Sequence, residues 1–226
     1  MIAMSTLHQP LGSIGRKRIE AIVERIKGSV NREISFSKPP NCCCVGTVDV
    51  VDSTNITAYL KDSKMCEYYE IFLNSMNEIA KEFDAIVIKN IGDSLLYYFP
   101  DTCDAKDPDS LRNVLECSIT MLESYNEINK IMYEHGLPQV NYRISSDYGR
   151  ICVARSTSST SEDVFGPTVS ICSKINRLAM TNGIAIGGDL FQIARSFKEY
   201  EFHSLYGYSV GMKLDYPVYS LFRRIS

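Results

Sequence analysis

The chain has 226 residues, a formal charge of −3, 23% charged and 45% hydrophobic residues. Domains commonly run ~100–200 residues, so this length predicts one domain with an extension, and the composition is that of an ordinary globular protein rather than a disordered one. The slightly acidic balance excludes the basic field that nucleic acid or an anionic membrane surface would require, and no stretch reaches the ~20 apolar residues of a membrane span.

Residues 1–15 carry no periodic pattern and no apolar core of signal-peptide length. From Arg16 to Lys27, Ile19, Ile22, Val23 and Ile26 form one helical face that needs a partner surface, either a second subunit or its own domain. Val30 to Asn41, with Pro39-Pro40, reads as a linker. The predicted division is therefore an N-terminal extension over 1–41 and a catalytic unit over 42–226. A strand over 42–50 precedes a helical region over 54–82, where Tyr69, Phe72, Leu73, Met76, Ile79, Ala80 and Phe83 share a face. A hairpin over 85–99 turns at Gly92-Asp93. A helix over 108–135 follows, carried by Leu111, Leu115, Ile119, Leu122, Tyr125 and Ile128.

Strands over 140–147 and 150–154, a polar loop from Ser156 to Glu162 and a helix opening at Gly166 come next. The tail reads as a strand over 183–186, a helix over 188–196, and strands near 200–208 and 214–221. The β-α-β-β-α-β order predicts an α/β (α+β) fold, ferredoxin-like, with an antiparallel sheet, helices on one face and a C-terminal extension. That order alone gives no function. The eight cysteines include the run Cys42-Cys43-Cys44, with Cys66, Cys103, Cys117, Cys152 and Cys172 scattered and no C-x-x-C pair. This argues against disulfides or zinc and for a reduced, cytoplasmic protein.

The candidate chemistry lies at two aspartates. Asp49 ends an apolar strand and precedes Asp52-Ser53-Thr54, a helix-start sequence, and Asp93 occupies the hairpin turn. Either residue alone is at home in a turn or cap. With the two strands side by side, both carboxylates meet at one edge. Two hard oxygen ligands beside a turn rich in N–H groups suit Mg²⁺ carrying a polyphosphate.

A series of blocks then occurs in order. Asp49-Val50-Val51-Asp52-Ser53-Thr54 resembles a D-I-V-G-F-T segment, and Lys89-Asn90-Ile91-Gly92-Asp93 resembles K-x-x-G-D. Arg143-Ile144-Ser145-Ser146-Asp147-Tyr148-Gly149 resembles R-I-G-I-H-T-G, with Asp147 in the usual histidine place. Asp163-Val164-Phe165-Gly166-Pro167-Thr168-Val169 resembles D-x-x-G-x-x-V, and Gly183-Ile184-Ala185-Ile186 with Pro217-Val218-Tyr219 match two later strands. Together they resemble the class III nucleotidyl cyclase catalytic domain, the adenylate/guanylate cyclase family, over residues 42–222.

The resemblance implies a homodimer with composite sites at the interface. One subunit would bring Asp49, Asp93 and the carbonyl of Val50 to two Mg²⁺ or Mn²⁺ ions. Val51, Asp52, Ser53 and Thr54 would offer backbone N–H groups to phosphate oxygens. The partner would read the base with Lys89 and Asp163, and Lys213 lies close to where the family keeps a triphosphate-binding lysine. Lysine is donor-only and ionised aspartate acceptor-only, which matches adenine's N1 and exocyclic amine. Guanine would leave an acceptor facing an acceptor, at about 1–3 kcal/mol, so ATP is the expected substrate.

The family's catalytic asparagine and arginine are replaced by Ser170 and Lys174, and lysine lacks the planar fork that grips phosphate oxygens. The implied activity is an adenylate cyclase of reduced turnover. The alternative, which those two replacements favour, is a degenerate cyclase homology domain that binds nucleotide or regulates a dimer partner. Simpler readings stand beside these: Lys89 as an edge-strand lysine, Asp52 and Asp163 as helix caps, and Ser170 and Lys174 as helix-surface residues. Gly187-Gly188-Asp189-Leu190 is similar to a diguanylate cyclase signature, but its place ahead of a helix fits helix initiation. His8, His135 and His203 share no metal-binding spacing.

Overall fold

The computed structural model describes residues 13–29, 34–36, 41–103, 107–156, 162–205 and 216–225, so Lys213 lies outside the described residues. The chain opens with helix α1 (Ser13–Ser29), on which Ile19, Ile22 and Val23 are exposed. Strand β1 is Ile34–Phe36 and β2 is Asn41–Val50. Helices α2 (Ser53–Ala58) and α3 (Asp62–Glu82) lead to the hairpin β3 (Ile86–Ile91) and β4 (Ser94–Phe99). A 3-10 turn (Pro100–Cys103), α4 (Pro108–Glu123) and α5 (Tyr125–Glu134) precede β5 (Tyr142–Ser156). Then come β6 (Glu162–Phe165), α6 (Pro167–Asn176), β7 (Gly183–Gly187), α7 (Gly188–Ala194), β8 (Tyr200–Ser204) and β9 (Val218–Arg223).

The strands form one sheet in the order β3-β4-β2-β5-β7-β9-β8, with β1 and β6 pairing with the C-terminal part of β5. Pairing is antiparallel except between β5 and β7. Strands β2, β3, β4 and β5 with α3 and α4 reproduce the expected ferredoxin-like order. Alternation along β2 divides the two faces. Cys44, Val48 and Val50 face the helix layer, where Phe72 and Met76 of α3, Leu115 and Met121 of α4, and Ile128 of α5 are buried against them. Cys43, Val45, Thr47 and Asp49 face the other way, where Cys172 of α6 is buried beside Val45. Gly46 is required by close approach: a Cβ there would lie 2.2 Å from the ring of Tyr97, its cross-strand partner.

Several local expectations change. The helical region over 54–82 is two helices, broken at Tyr59 to Lys61, where Leu60 N–H bonds back to the Thr57 carbonyl. The helix over 108–135 breaks at Ser124, the cap residue between α4 and α5. The two strands over 140–147 and 150–154 are one strand, β5, because Gly149 pairs with Cys43 in mid-ladder rather than turning the chain. The stretch read as a linker contributes β1. Asp163, read as a possible cap, lies in β6. Cys43 and Cys103 are joined by a disulfide across a sequence separation of 60 residues. No local cysteine spacing could announce that pair, since it forms only when the turn after β4 folds onto β2. Thr102 fixes the same approach by accepting a hydrogen bond from the Cys44 N–H at 2.7 Å. Among the described residues no helix is long and apolar enough to cross a membrane.

Candidate functional site

The polar residues concentrate at one end of the sheet, on the face that carries α6. Asp49 is the penultimate residue of β2, where Ser94 on β4 and Arg143 on β5 stand directly opposite it on either side. Residues in register share a face, so the three side chains form one cross-strand row. The Ser94 hydroxyl donates to Asp49 Oδ1. Asp93 lies one residue before Ser94 in the two-residue turn, whose first position, Gly92, has φ 65°, a conformation that glycine adopts without steric cost.

Asp49 is half-buried, and desolvation raises its pKa; the Ser94 hydrogen bond opposes this, the charge of Asp93 adds to it, and Arg143 and Arg177 pull it down. That set of influences places two carboxylates and two guanidinium groups within electrostatic reach of one another. Asp49 lies in a cleft of about 210 Å³ lined by Thr47, Ser94, Ser173, Asn176 and Arg177 among others. Asn176 is buried and its Nδ2 donates to the Arg143 carbonyl at 3.1 Å, tying the end of α6 to β5. Arg143 Nε is buried without a hydrogen-bond partner in the described structure.

The donor set fits Mg²⁺ or Mn²⁺ in a particular way. Among the described residues there is no group of three His, Cys, Asp or Glu side chains that could hold a metal ion. Two carboxylates with one main-chain carbonyl are nevertheless what Mg²⁺ accepts when water and substrate phosphates complete its octahedron. Asp49 and Asp93 stand at the same end of the sheet, with Val50 next to Asp49 on β2.

The turn expected to meet phosphate is partly committed elsewhere. Val51 N–H donates to the Asn141 carbonyl at 2.7 Å, so its donor is taken. Asp52 has φ 60° and leads into α2 without a side-chain cap to the backbone; its Oδ1 accepts from Asn55 Nδ2 at 2.5 Å. The donors that remain from the expected turn are those of Asp52, Ser53 and Thr54.

Lys89 follows an irregularity in β3 and pairs in register with Leu96. Asp163 pairs with Ala154, and its Oδ1 accepts from the Val164 N–H at 2.8 Å. Their neighbours Ile88 and Val164 belong to one apolar cluster, so β3 and β6 meet. Ser170 is exposed on α6 and Lys174 is half-buried there. The residues of α6 that line the Asp49 cleft are instead Ser173, Asn176 and Arg177. The motif reading missed Ser94, Arg143, Asn176 and Arg177. Ser94 could have been found as the first residue of the returning strand; the other three required the register and the docking of α6.

Asp147, in the place where a histidine was expected, is buried. It accepts from Tyr216 Oη at 2.8 Å and from the backbone N–H groups of Tyr148 and Leu190. Gly187 caps α7 and Asp189 falls in its first turn, as helix initiation predicts. His135 pairs with Glu67 in a surface contact.

The model of the Adenylate and Guanylate cyclase catalytic domain family matches residues 36–222. Compared sequence to sequence, no curated protein matches the chain. Among solved structures, the adenylyl cyclase CyaB from P. aeruginosa superposes with a TM-score of 0.74 at 15% identity, covering 83% of this chain and 96% of that one. The non-canonical dimeric guanylyl cyclase domain of the RhoGC fusion protein from Blastocladiella emersonii gives 0.70 at 17%, covering 83% and 100%. The guanylate cyclase domain of RhGC from Catenaria anguillulae in complex with GTP gives 0.70 at 16%, also covering 83% and 100%.

Proposed function

The chain belongs to the adenylate and guanylate cyclase catalytic domain family, and from that premise we propose that it converts ATP to 3′,5′-cyclic AMP and pyrophosphate. The observation that carries the reading is the row Ser94–Asp49–Arg143 with Asp93 in the adjoining turn, Asp49 and Ser94 lining a cleft that α6 covers. Asp49, Asp93 and the Val50 carbonyl would hold Mg²⁺ or Mn²⁺, two per site. Bound there, the ions supply charge neutralisation at the triphosphate and acidify the ribose 3′-hydroxyl.

The chain's own residues do the rest. Ser94 and Arg143 orient and charge-balance Asp49, opposing the desolvation that raises its pKa. The backbone N–H groups of Asp52, Ser53 and Thr54 face phosphate oxygens at the start of α2. Lys89 donates to adenine N1 and Asp163 accepts from the exocyclic amine, the complement that guanine lacks. The 3′-oxygen then attacks the α-phosphorus in line and pyrophosphate leaves.

In the composite homodimer this reading requires, Ser170 and Lys174 serve the partner's site. Their position on α6 beside the stripe that lines the cleft supports that division, since they are absent from the lining of their own subunit's Asp49 cleft. The same two residues favour a second reading, a nucleotide-binding regulatory domain that has lost turnover.

The test is incubation of the purified protein with MnATP and, separately, MnGTP, with chromatographic identification of products. Cyclic AMP from ATP in excess of cyclic GMP from GTP is expected. Nucleotide binding without either product would establish the regulatory reading. Cyclic GMP in excess would overturn the roles given to Lys89 and Asp163.

A further inference from the structure

Beyond the residues that the sequence blocks nominate, the cleft holds a guanidinium with no assigned task. Arg177 is the residue after α6, with φ −67° and ψ −16°, and its N–H closes the helix on the Lys174 and Ile175 carbonyls. It lines the cleft with Asp49 and Ser94, and its charge reaches Asp49. Its backbone is held in place by its neighbour: Asn176 is buried and bonded to the Arg143 carbonyl. Its side chain is exposed at the cleft mouth.

The two arginines around Asp49 therefore differ in position. Arg143 stands beside the carboxylate in the sheet, half-buried and with its Nε out of solvent. Arg177 approaches from the helix, on the open side. Of the two, Arg177 is the one that lines the cleft.

We propose that Arg177 is a substrate-binding residue that grips phosphate oxygens of the nucleotide on the same subunit that supplies Asp49 and Asp93. This rests on the cyclase reading above and adds a residue to it. A metal-bound nucleoside triphosphate carries excess negative charge, and a planar guanidinium meets phosphate oxygens with two parallel hydrogen bonds. Lys174, contributed across the dimer, offers a point charge without that fork. Arg177 supplies the fork from within the subunit, three residues further on, at the cap of that helix. Its side chain makes the phosphate contact, and Asp49 and Asp93 are the residues that would hold the ions.

The experiment uses the full chain and its Arg177→Ala and Arg177→Lys variants. Arg195→Ala, at the end of α7, removes a like charge elsewhere. Two quantities are read: affinity for Mn²⁺–pyrophosphate by calorimetry, and KM and kcat with MnATP and MnGTP. Loss of one charged hydrogen-bonding partner commonly costs a factor of about 10–100. Arg177→Ala is expected to weaken pyrophosphate binding by about that factor and to raise KM for both nucleotides more than it lowers kcat, since phosphate contact is shared by ground and transition states. Arg177→Lys should recover part of the loss, and Arg195→Ala should behave as wild type.

Pyrophosphate affinity in Arg177→Ala equal to that of a wild type that binds overturns the assignment of Arg177 alone. A wild type that binds neither pyrophosphate nor nucleotide overturns the cyclase reading and this inference with it. A loss of the same size in Arg195→Ala would reduce the effect to net charge and also overturn the assignment.

Discussion

The two faces of the sheet are made from the same strands and behave in opposite ways. On the helix-covered face, Val48, Val50, Leu95, Tyr97, Tyr142 and Ile144 are buried under α3, α4 and α5. On the α6 face, the alternate residues Thr47, Asp49 and Ser94 line a cleft, with Arg143 beside Asp49 in the sheet. Strand alternation makes this possible, because adjacent residues serve the core and the site without competing. The first face contributes stability, and the second gives some of it up by holding a desolvated carboxylate.

That comparison predicts a clean separation of effects. The largest should follow Asp49→Asn: cyclic nucleotide formation should fall by about 10³-fold or more, the several kcal/mol that metal-held charge stabilisation supplies. Folding stability should stay the same or rise, because the neutral amide escapes the desolvation that raises the pKa of Asp49. Parallel assays of product and of urea unfolding check both halves, and a collapse in stability would break the comparison.

Phe72→Ala should do the converse. Phe72 is fully buried on the helix side, so truncation should cost about 3–5 kcal/mol in denaturant unfolding. Activity per folded molecule should change far less than in Asp49→Asn.

Asp147 sharpens the comparison, since it is a carboxylate fully buried and hydrogen-bonded within the fold, where Asp49 is half-buried in a cleft. Burial pushes its pKa from 3.8 up to about 6, against the opposing hydrogen bonds from Tyr216, Tyr148 and Leu190. The folded protein thus holds this proton more tightly than the unfolded chain. Its support for folding is present below pH 3.8 and is lost as pH rises through about 6. Wild type should lose up to about 3 kcal/mol across that window relative to Asp147→Asn. Urea unfolding at pH 4.5 and 7 measures this; equal slopes in the two proteins would refute it.

The smallest effect is expected from Gly46→Ala. The added methyl would meet the Tyr97 ring at 2.2 Å, costing about 1–3 kcal/mol of overpacking. Thermal unfolding reads it, and a neutral substitution would show that Tyr97 can yield.

How much of the site was legible depends on range along the chain. Asp49 and Asp93 stood out because a strand end and a Gly-Asp turn are local signals, fixed by a few neighbouring residues. The element order around them was legible for the same reason: apolar periods of two and about 3.6 write strands and helices into the sequence. The splits at Tyr59 and Ser124 were less legible, because a helix break within a continuous apolar stripe is decided by packing. The Cys43–Cys103 bond was not legible at all, since it joins residues that only the fold makes neighbours.

The sequence by itself therefore determined the order of the elements, the aspartates at the strand end and the turn, and the polar character of the segment after β2. Tertiary structure alone decided that Ser94 and Arg143 flank Asp49, that Val51 N–H is spent on Asn141, and that Arg177 rather than Lys174 lines the cleft of its own subunit. The physical reason is that cross-strand register and helix docking are set by the burial of many side chains at once. A one-residue slip would turn the same strand's other face to the cleft, and no short segment carries that information alone.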